Sequence, residues 1–171
     1  MRSPSRAVGV ARHAMVTRVR GAFARFEGTA HLDVKDPSKC RISAVIDVAS
    51  VDTRNRQRDE HLRTSDFFDI DHYPNISFTS KGVEQVAGSV YRLEGELTIK
   101  TVTRPISIDF EFSGFRVDPF GNNRIGFHGS TVVNRKDWGL VWNMPMVGGG
   151  LLVSERVVLE FDVSAVKRPP P

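Results

Sequence analysis

A chain of 171 residues, 40% of them hydrophobic, is long enough to bury a sizeable core and suits one domain over 1–171, with a core of about 8–166 and a proline-rich tail over 167–171. It is basic, with net charge +4 and a sequence pI near 9.6, and Arg2, Arg6, Arg12, Arg18, Arg20 and Arg25 all precede the first acid, Glu27. No apolar run reaches the roughly eighteen residues of a transmembrane helix or makes a signal-peptide core, and the single Cys40 cannot form an intramolecular disulfide, so the expectation is a cytoplasmic protein that is not exported.

Residues 8–16 read as a first strand, and 19–26 as a second carrying Phe23 and Phe26, with Gly28 permitting a tight turn after it. Ile42, Ala44, Ile46 and Val48 alternate with Ser43, Val45, Asp47 and Ala49, the period of two that gives a strand one apolar face.

From Val51 to Phe78 the alternation stops. Asp52 or Thr53 can cap a short helix running to Arg63, because their side-chain oxygens accept from the unpaired N–H groups of a first turn. The expected helical insertion occupies 54–64 and is followed by the aromatic pair Phe67 and Phe68. Pro74 forces Tyr73 into extended backbone, and alternation returns at Asn75 with Ile76 and Phe78 on one face. An insertion this long exceeds what a hairpin needs, so it is expected to cap a sheet or barrel.

Segments 76–84 and 90–99 flank Ala87-Gly88 as a hairpin whose second arm presents Tyr91, Leu93, Gly95, Leu97 and Ile99 together, with Gly95 marking a bend or bulge. Arg104-Pro105 opens the next strand, in which Ile106, Ile108, Phe110 and Phe112 alternate with Ser107, Asp109 and Glu111. Asp118 to Asn122 supplies turn chemistry through Pro119 and Gly121. Ile125, Phe127, Gly129, Thr131 and Val133 form another apolar face, Gly148 to Gly150 a connection, and Val157, Leu159, Phe161 and Val163 the last strand. About eight strands with no βαβ rhythm give an all-β antiparallel sandwich or barrel, between which periodicity does not choose.

The five histidines, His13, His31, His61, His72 and His128, lack metal-ligand spacing, so no metal is expected. No nucleophile elbow, P-loop or dinucleotide fingerprint is present, and no cofactor or enzymatic activity is expected. Asp52, Arg58, Asp59, His61, Arg63 and Asp66 form a dense polar set with two readings: recognition of a polar head group, or ion pairs in which Arg58 and Arg63 hold the cap through carboxylates. Asn134, Arg135 and Asp137 invite the same two readings, beside Trp138 and Trp142 as wall or rim. The N-terminal arginines are either an attraction to an anionic surface or a solvated basic terminus.

The run D-T-R-N-x-x-R-D-x-H-L-R-x-x-D-F-F-D from Asp52, then Tyr73-Pro74, Gly95 to Lys100, Thr101 to Pro105 and Asn134 to Leu140, resembles the YceI family of lipocalin-like polyisoprenoid-binding proteins over roughly 8–166. Trp138 fills a position that is aromatic in the family, whereas the family's Trp-x-Ile/Leu-Asp strand start is missing before Val8. The resemblance implies an eight-stranded lipocalin-like barrel with a long apolar cavity. It also implies non-enzymatic carriage, storage or sensing of a long-chain isoprenoid lipid, either a prenyl quinone or a polyprenyl phosphate, and a possible homodimer. The ligand-binding residues expected on that basis are Phe23, Phe67, Phe68, Phe78, Leu97 and Ile99, then Ile108, Phe110, Phe127, Trp138, Trp142, Leu159 and Phe161, with Arg58 and His61 at the head group. Alternatives are an enzyme acting on an isoprenoid-like substrate and a basic module for anionic surfaces. Neither a nucleic-acid partner nor a membrane span is expected.

Overall fold

The computed structural model describes residues 6–13, 17–33 and 35–166, and its alternating segments pair into one antiparallel sheet. The strands are β1 (Arg6–His13), β2 (Thr17–Phe23), β3 (Phe26–His31), β4 (Arg41–Asp47), β5 (Val51–Asp52), β6 (Asn75–Ala87), β7 (Val90–Ile99), β8 (Val102–Val117), β9 (Asn123–Asn134) and β10 (Val153–Val166). One helix, α1 (Arg56–Arg63), interrupts them inside the expected insertion. The order across the sheet is β3-β4-β6-β7-β8-β9-β10-β1-β2-β5.

The two ends of that order belong to one stretch of chain. Only Ala24 and Arg25 separate β2, which pairs with β1, from β3, which pairs with β4. At the break the backbone turns to other partners: Ala24 N–H donates to Ser50 O at 3.1 Å and Asp47 N–H to Arg25 O at 3.0 Å. With β2 and β3 taken as one broken strand and the two-residue β5 set aside, eight strands curl into a barrel, the architecture that the family resemblance implied.

Several local expectations are corrected. The turn placed at Gly28 is absent, since Gly28 pairs with Ala44 inside β3; the chain bends at Ala24 and Arg25 instead. Neither Asp52 nor Thr53 caps α1; Asn55 does, its side chain accepting from Arg58 N–H at 3.0 Å. β8 begins at Val102 rather than at Arg104, and Pro105 pairs with Glu96 inside it. The proline fits there because the β8–β9 register starts only at Asp109, leaving a ladder on one side. Opposite Gly95 the bulge lies on the partner strand, between Ser80 and Gly82. Residues 14–16 of the first expected strand, and the 167–171 tail, lie outside the described residues.

The core follows the parity of the strands. Phe78 from β6, Leu97 and Ile99 from β7 and Ile108 from β8 are each no more than 9% exposed, and they cluster with Ile76, Leu93, Ile106, Trp138 and Leu140. Burial of that apolar area is the main stabilising term of the sheet.

Candidate functional site

One end of the barrel is closed by α1 and the segment after it. Asp59, 7% exposed, accepts from the Thr53 N–H at 2.9 Å and from Thr53 Oγ1 at 2.5 Å. Arg58 donates from Nε to Thr53 Oγ1 and from Nη2 to Thr53 O, both at 2.8 Å. Arg63 reaches Ala49 O at 3.1 Å and Val51 O at 3.0 Å through Nη2. The arginines therefore bond a hydroxyl and backbone carbonyls, not the carboxylates expected from sequence. Residues 48–52 are a 3-10 turn and a two-residue strand, and Thr53 follows them outside any element, so the sheet ladder leaves carbonyls here to other donors.

His61 sits in the same cap. Its Nε2 lies 2.8 Å from Asp66, and its ring meets Phe67 at 5.1 Å and Trp142 at 4.6 Å, while Phe67 and Trp142 are 5.4 Å apart. The three rings close this end with one polar tip turned to a carboxylate.

Beside the cap, a 3-10 turn over Arg135–Trp138 is fixed from within. Trp138, 3% exposed, donates its indole N–H to Leu97 O at 2.9 Å. Arg135, 5% exposed, donates to the carbonyls of Leu140 and of Ser154, the latter at 2.9 Å. Burial pulls its guanidinium below the ordinary arginine pKa. Trp138 is thus a packed post under β7, and Trp142 belongs to the cap.

The concave face differs between its two halves. On β6 and β7 it is tightly packed, whereas Phe110 on β8, Phe127 on β9 and Leu159 and Phe161 on β10 remain half-buried. Tyr91 stacks on Phe110 at 5.8 Å, Phe110 meets Phe127 edge-on at 5.4 Å, and Phe127 lies 5.7 Å from Phe112. Phe23 of β2 faces Phe68 edge-on at 6.0 Å below the cap. The expected ligand residues therefore fall into three groups: the packed Phe78, Leu97, Ile99 and Ile108; the half-open Phe23, Phe68, Phe110, Phe127, Leu159 and Phe161; and the cap residues Arg58, His61, Phe67 and Trp142, with Trp138 below them. Tyr91 and Phe112 join the second group, and their alternation with charged neighbours is the sequence feature that marks them.

Two hollows open elsewhere on the surface. One of about 300 Å³ lies among Thr29, His31, Arg41, Ser43 and Thr79. A larger one, about 850 Å³, is lined by Arg18, Arg20, Val132, Leu151, Val158 and Glu160, on the side of β9 and β10 opposite Val133 and Leu159. Neither is lined by an expected ligand residue. Among the described residues no group of three or more His, Cys, Asp or Glu could hold a metal ion, and no helix is long and apolar enough to cross a membrane. Cys40 is buried, its thiol directed at Asp33 O at 3.7 Å.

The family model described as YceI-like domain matches residues 3–165. A UPF0312 protein of Staphylococcus aureus (strain MSSA476) is 32% identical over 155 residues, covering 90% of this chain and 86% of that protein. Among solved structures, BcnA of Burkholderia cenocepacia superposes with a TM-score of 0.81 at 23% identity, over 94% of this chain and 96% of that one. The Campylobacter jejuni YCEI protein gives 0.76 at 26% identity, over 92% and 90%. A structure described as a polyisoprenoid binding domain from Saccharophagus degradans gives 0.67 at 16% identity, over 96% and 94%.

Proposed function

The chain belongs to the YceI-like family, and from that premise we propose that it binds a long-chain isoprenoid lipid along the apolar concave face of its barrel and carries or stores it without chemical change. The observation that carries this reading is the half-buried row Phe110, Phe127, Leu159 and Phe161, which faces inward yet is not packed shut. Each buried CH₂ contributes about 0.8 kcal/mol, so a chain of many isoprene units binds firmly with few polar contacts. The likeness to a fold described as polyisoprenoid-binding in Saccharophagus degradans supports the same ligand class.

In this reading Phe23, Phe68, Phe110, Phe127, Leu159 and Phe161 line the ligand. Phe78, Leu97, Ile99 and Ile108 form the wall behind it, and Trp138 fixes that wall. Phe67, Trp142 and His61 close the cap over the chain end, and Arg58 holds the cap through Thr53. A prenyl quinone suits an interior lined mainly by apolar side chains. A polyprenyl phosphate needs its charge at a barrel mouth, because an unpaired anion inside is costly.

Organic extraction and mass spectrometry of protein purified without detergent tests the proposal. A co-purifying polyprenyl compound at a fixed ratio to protein is the expected result. Absence of any such compound, together with no uptake of added prenyl quinone by the extracted and still folded protein, would overturn it.

A further inference from the structure

At the end of the barrel away from α1, β8, β9 and β10 run on beyond β7. The β7–β8 register ends at Val90 with Glu111, whereas β8 and β9 stay paired to Val117 with Asn123. The step between Phe112 and Phe115 is a bulge, with Gly114 at φ +90°, a conformation that favours glycine. Its consequence is a change of parity. Without the bulge, Phe115 and Val117 would point to the outer side; with it, Phe115 pairs with the buried Ile125 and its ring meets Phe112 edge-on at 5.2 Å.

The aromatic row Tyr91, Phe110, Phe127 and Phe112 therefore continues through Phe115 out of the barrel. Phe115 is 62% exposed, Val117 68% and Phe120, at the turn, 78%. On the other side of the arm the exposed Arg116 lies directly opposite Arg124, whose guanidinium is ion-paired with Asp118. The tip is held stiffly: Asp118 accepts from the Asn122 side chain at 3.1 Å, the Asn122 N–H at 2.9 Å, the Phe120 N–H at 2.9 Å and Arg124 Nε at 2.6 Å. Val166, where β10 ends, pairs with Arg124, and the next residues in the sequence are Lys167 and Arg168. The exposed acids nearest this end are Glu84 and Asp109, which both pair with Arg92, and Glu111 and Asp162, which both lie opposite His128.

We propose that the β8–β9 arm is a membrane-docking element: Phe115, Val117 and Phe120 enter the interfacial layer of a bilayer bearing anionic lipids, and the exposed Arg116 on its other side meets the head groups. A bilayer fits better than a protein partner. Three apolar side chains at the tip of the arm offer far less than the roughly 800 Å² per partner of a standard protein interface, but they suit shallow insertion with the Arg116 stem alongside. That the same route delivers ligand from bilayer to barrel rests on the isoprenoid-binding reading; docking itself rests on the arm alone.

The test is flotation of the full chain with vesicles of phosphatidylcholine, with and without phosphatidylglycerol, and free of any isoprenoid. The wild type is expected to float, more strongly with the anionic lipid. The V117S/F120S double variant is expected to lose about tenfold or more of its vesicle affinity, with its circular dichroism unchanged. A second variant, M144S/V147S, alters exposed residues of the loop at the opposite end and is expected to float like the wild type. Equal flotation of wild type and V117S/F120S, loss of flotation only in M144S/V147S, or sedimentation showing a dimer that V117S/F120S abolishes would each overturn the proposal. Uptake of detergent-dispersed prenyl quinone is measured separately. Flotation without uptake would support docking while removing the isoprenoid reading, and uptake without flotation would do the reverse.

Discussion

The ring of Phe78 lies directly over Gly95 of the neighbouring strand, so close that a Cβ at position 95 would stand 2.3 Å from Phe78 Cζ and 2.7 Å from the Thr79 carbonyl oxygen. This contact explains a glycine in the middle of β7: the ring fills the space that a side chain would occupy. Gly95→Ala should destabilise the protein by roughly 1–3 kcal/mol through overpacking, read by urea denaturation. An unchanged midpoint would show that Phe78 rotates away freely.

Asp59 and Thr53 fasten the cap. Asp59→Ala leaves the buried Thr53 N–H and hydroxyl without their acceptor, which should cost about 1–3 kcal/mol, and Thr53→Val should cost a similar amount with little further loss when the two are combined. Fully additive losses would show that the two residues act separately.

Arg58→Ala separates the two uses of this arginine. If it holds the cap through Thr53, affinity for a prenyl quinone and for a polyprenyl phosphate should fall together, and the melting temperature should fall as well. A loss of about 1.5–3 kcal/mol confined to the phosphate, with stability intact, would instead assign the guanidinium to the head group.

The hydrogen bond to Asp69, reinforced by that carboxylate's charge, raises the His72 pKa above its ordinary 6.5. Its contribution is fully present below 6.5 and fades as pH rises through the raised value. His72→Gln should therefore lower the melting temperature most at mildly acid pH and least in alkali. Asp118 behaves oppositely. Hydrogen bonds from the Asn122 side chain and backbone, then from Arg124, hold its carboxyl far below the usual 3.8, so its contribution to the arm is present above that pH and lost on further acidification.

How much was legible in the sequence depended on how local each cause was. Period two marked the strands carrying Phe78, Leu97, Ile108 and Phe110, because the pleat imposes it residue by residue. The helical cap was visible where that period failed. The cap residue was misplaced because Asp52, Thr53 and Asn55 are all able caps, and only the tertiary bond from Thr53 to Asp59 decides among them. Gly28 was read as a turn because a glycine after Phe26 carries no mark of the strand it joins, whereas the bend at Ala24 and Arg25 arises from a change of partner strand. The outward arm was hidden for a similar reason. A bulge at Gly114 shifts the face of every later residue of β8, and alternation read straight through it assigns Phe115 to the wrong side.

The most direct measurement of the lining is a set of nuclear Overhauser contacts between a long-chain prenyl quinone and the protein's phenylalanine rings. Contacts from the isoprene methyls to Phe110, Phe127 and Phe161, lost together with binding in a folded Phe127→Asp variant, are the expected result. Contacts confined to Val132 and Val158 in the outer hollow, or retained unchanged in Phe127→Asp, would contradict binding along the concave face.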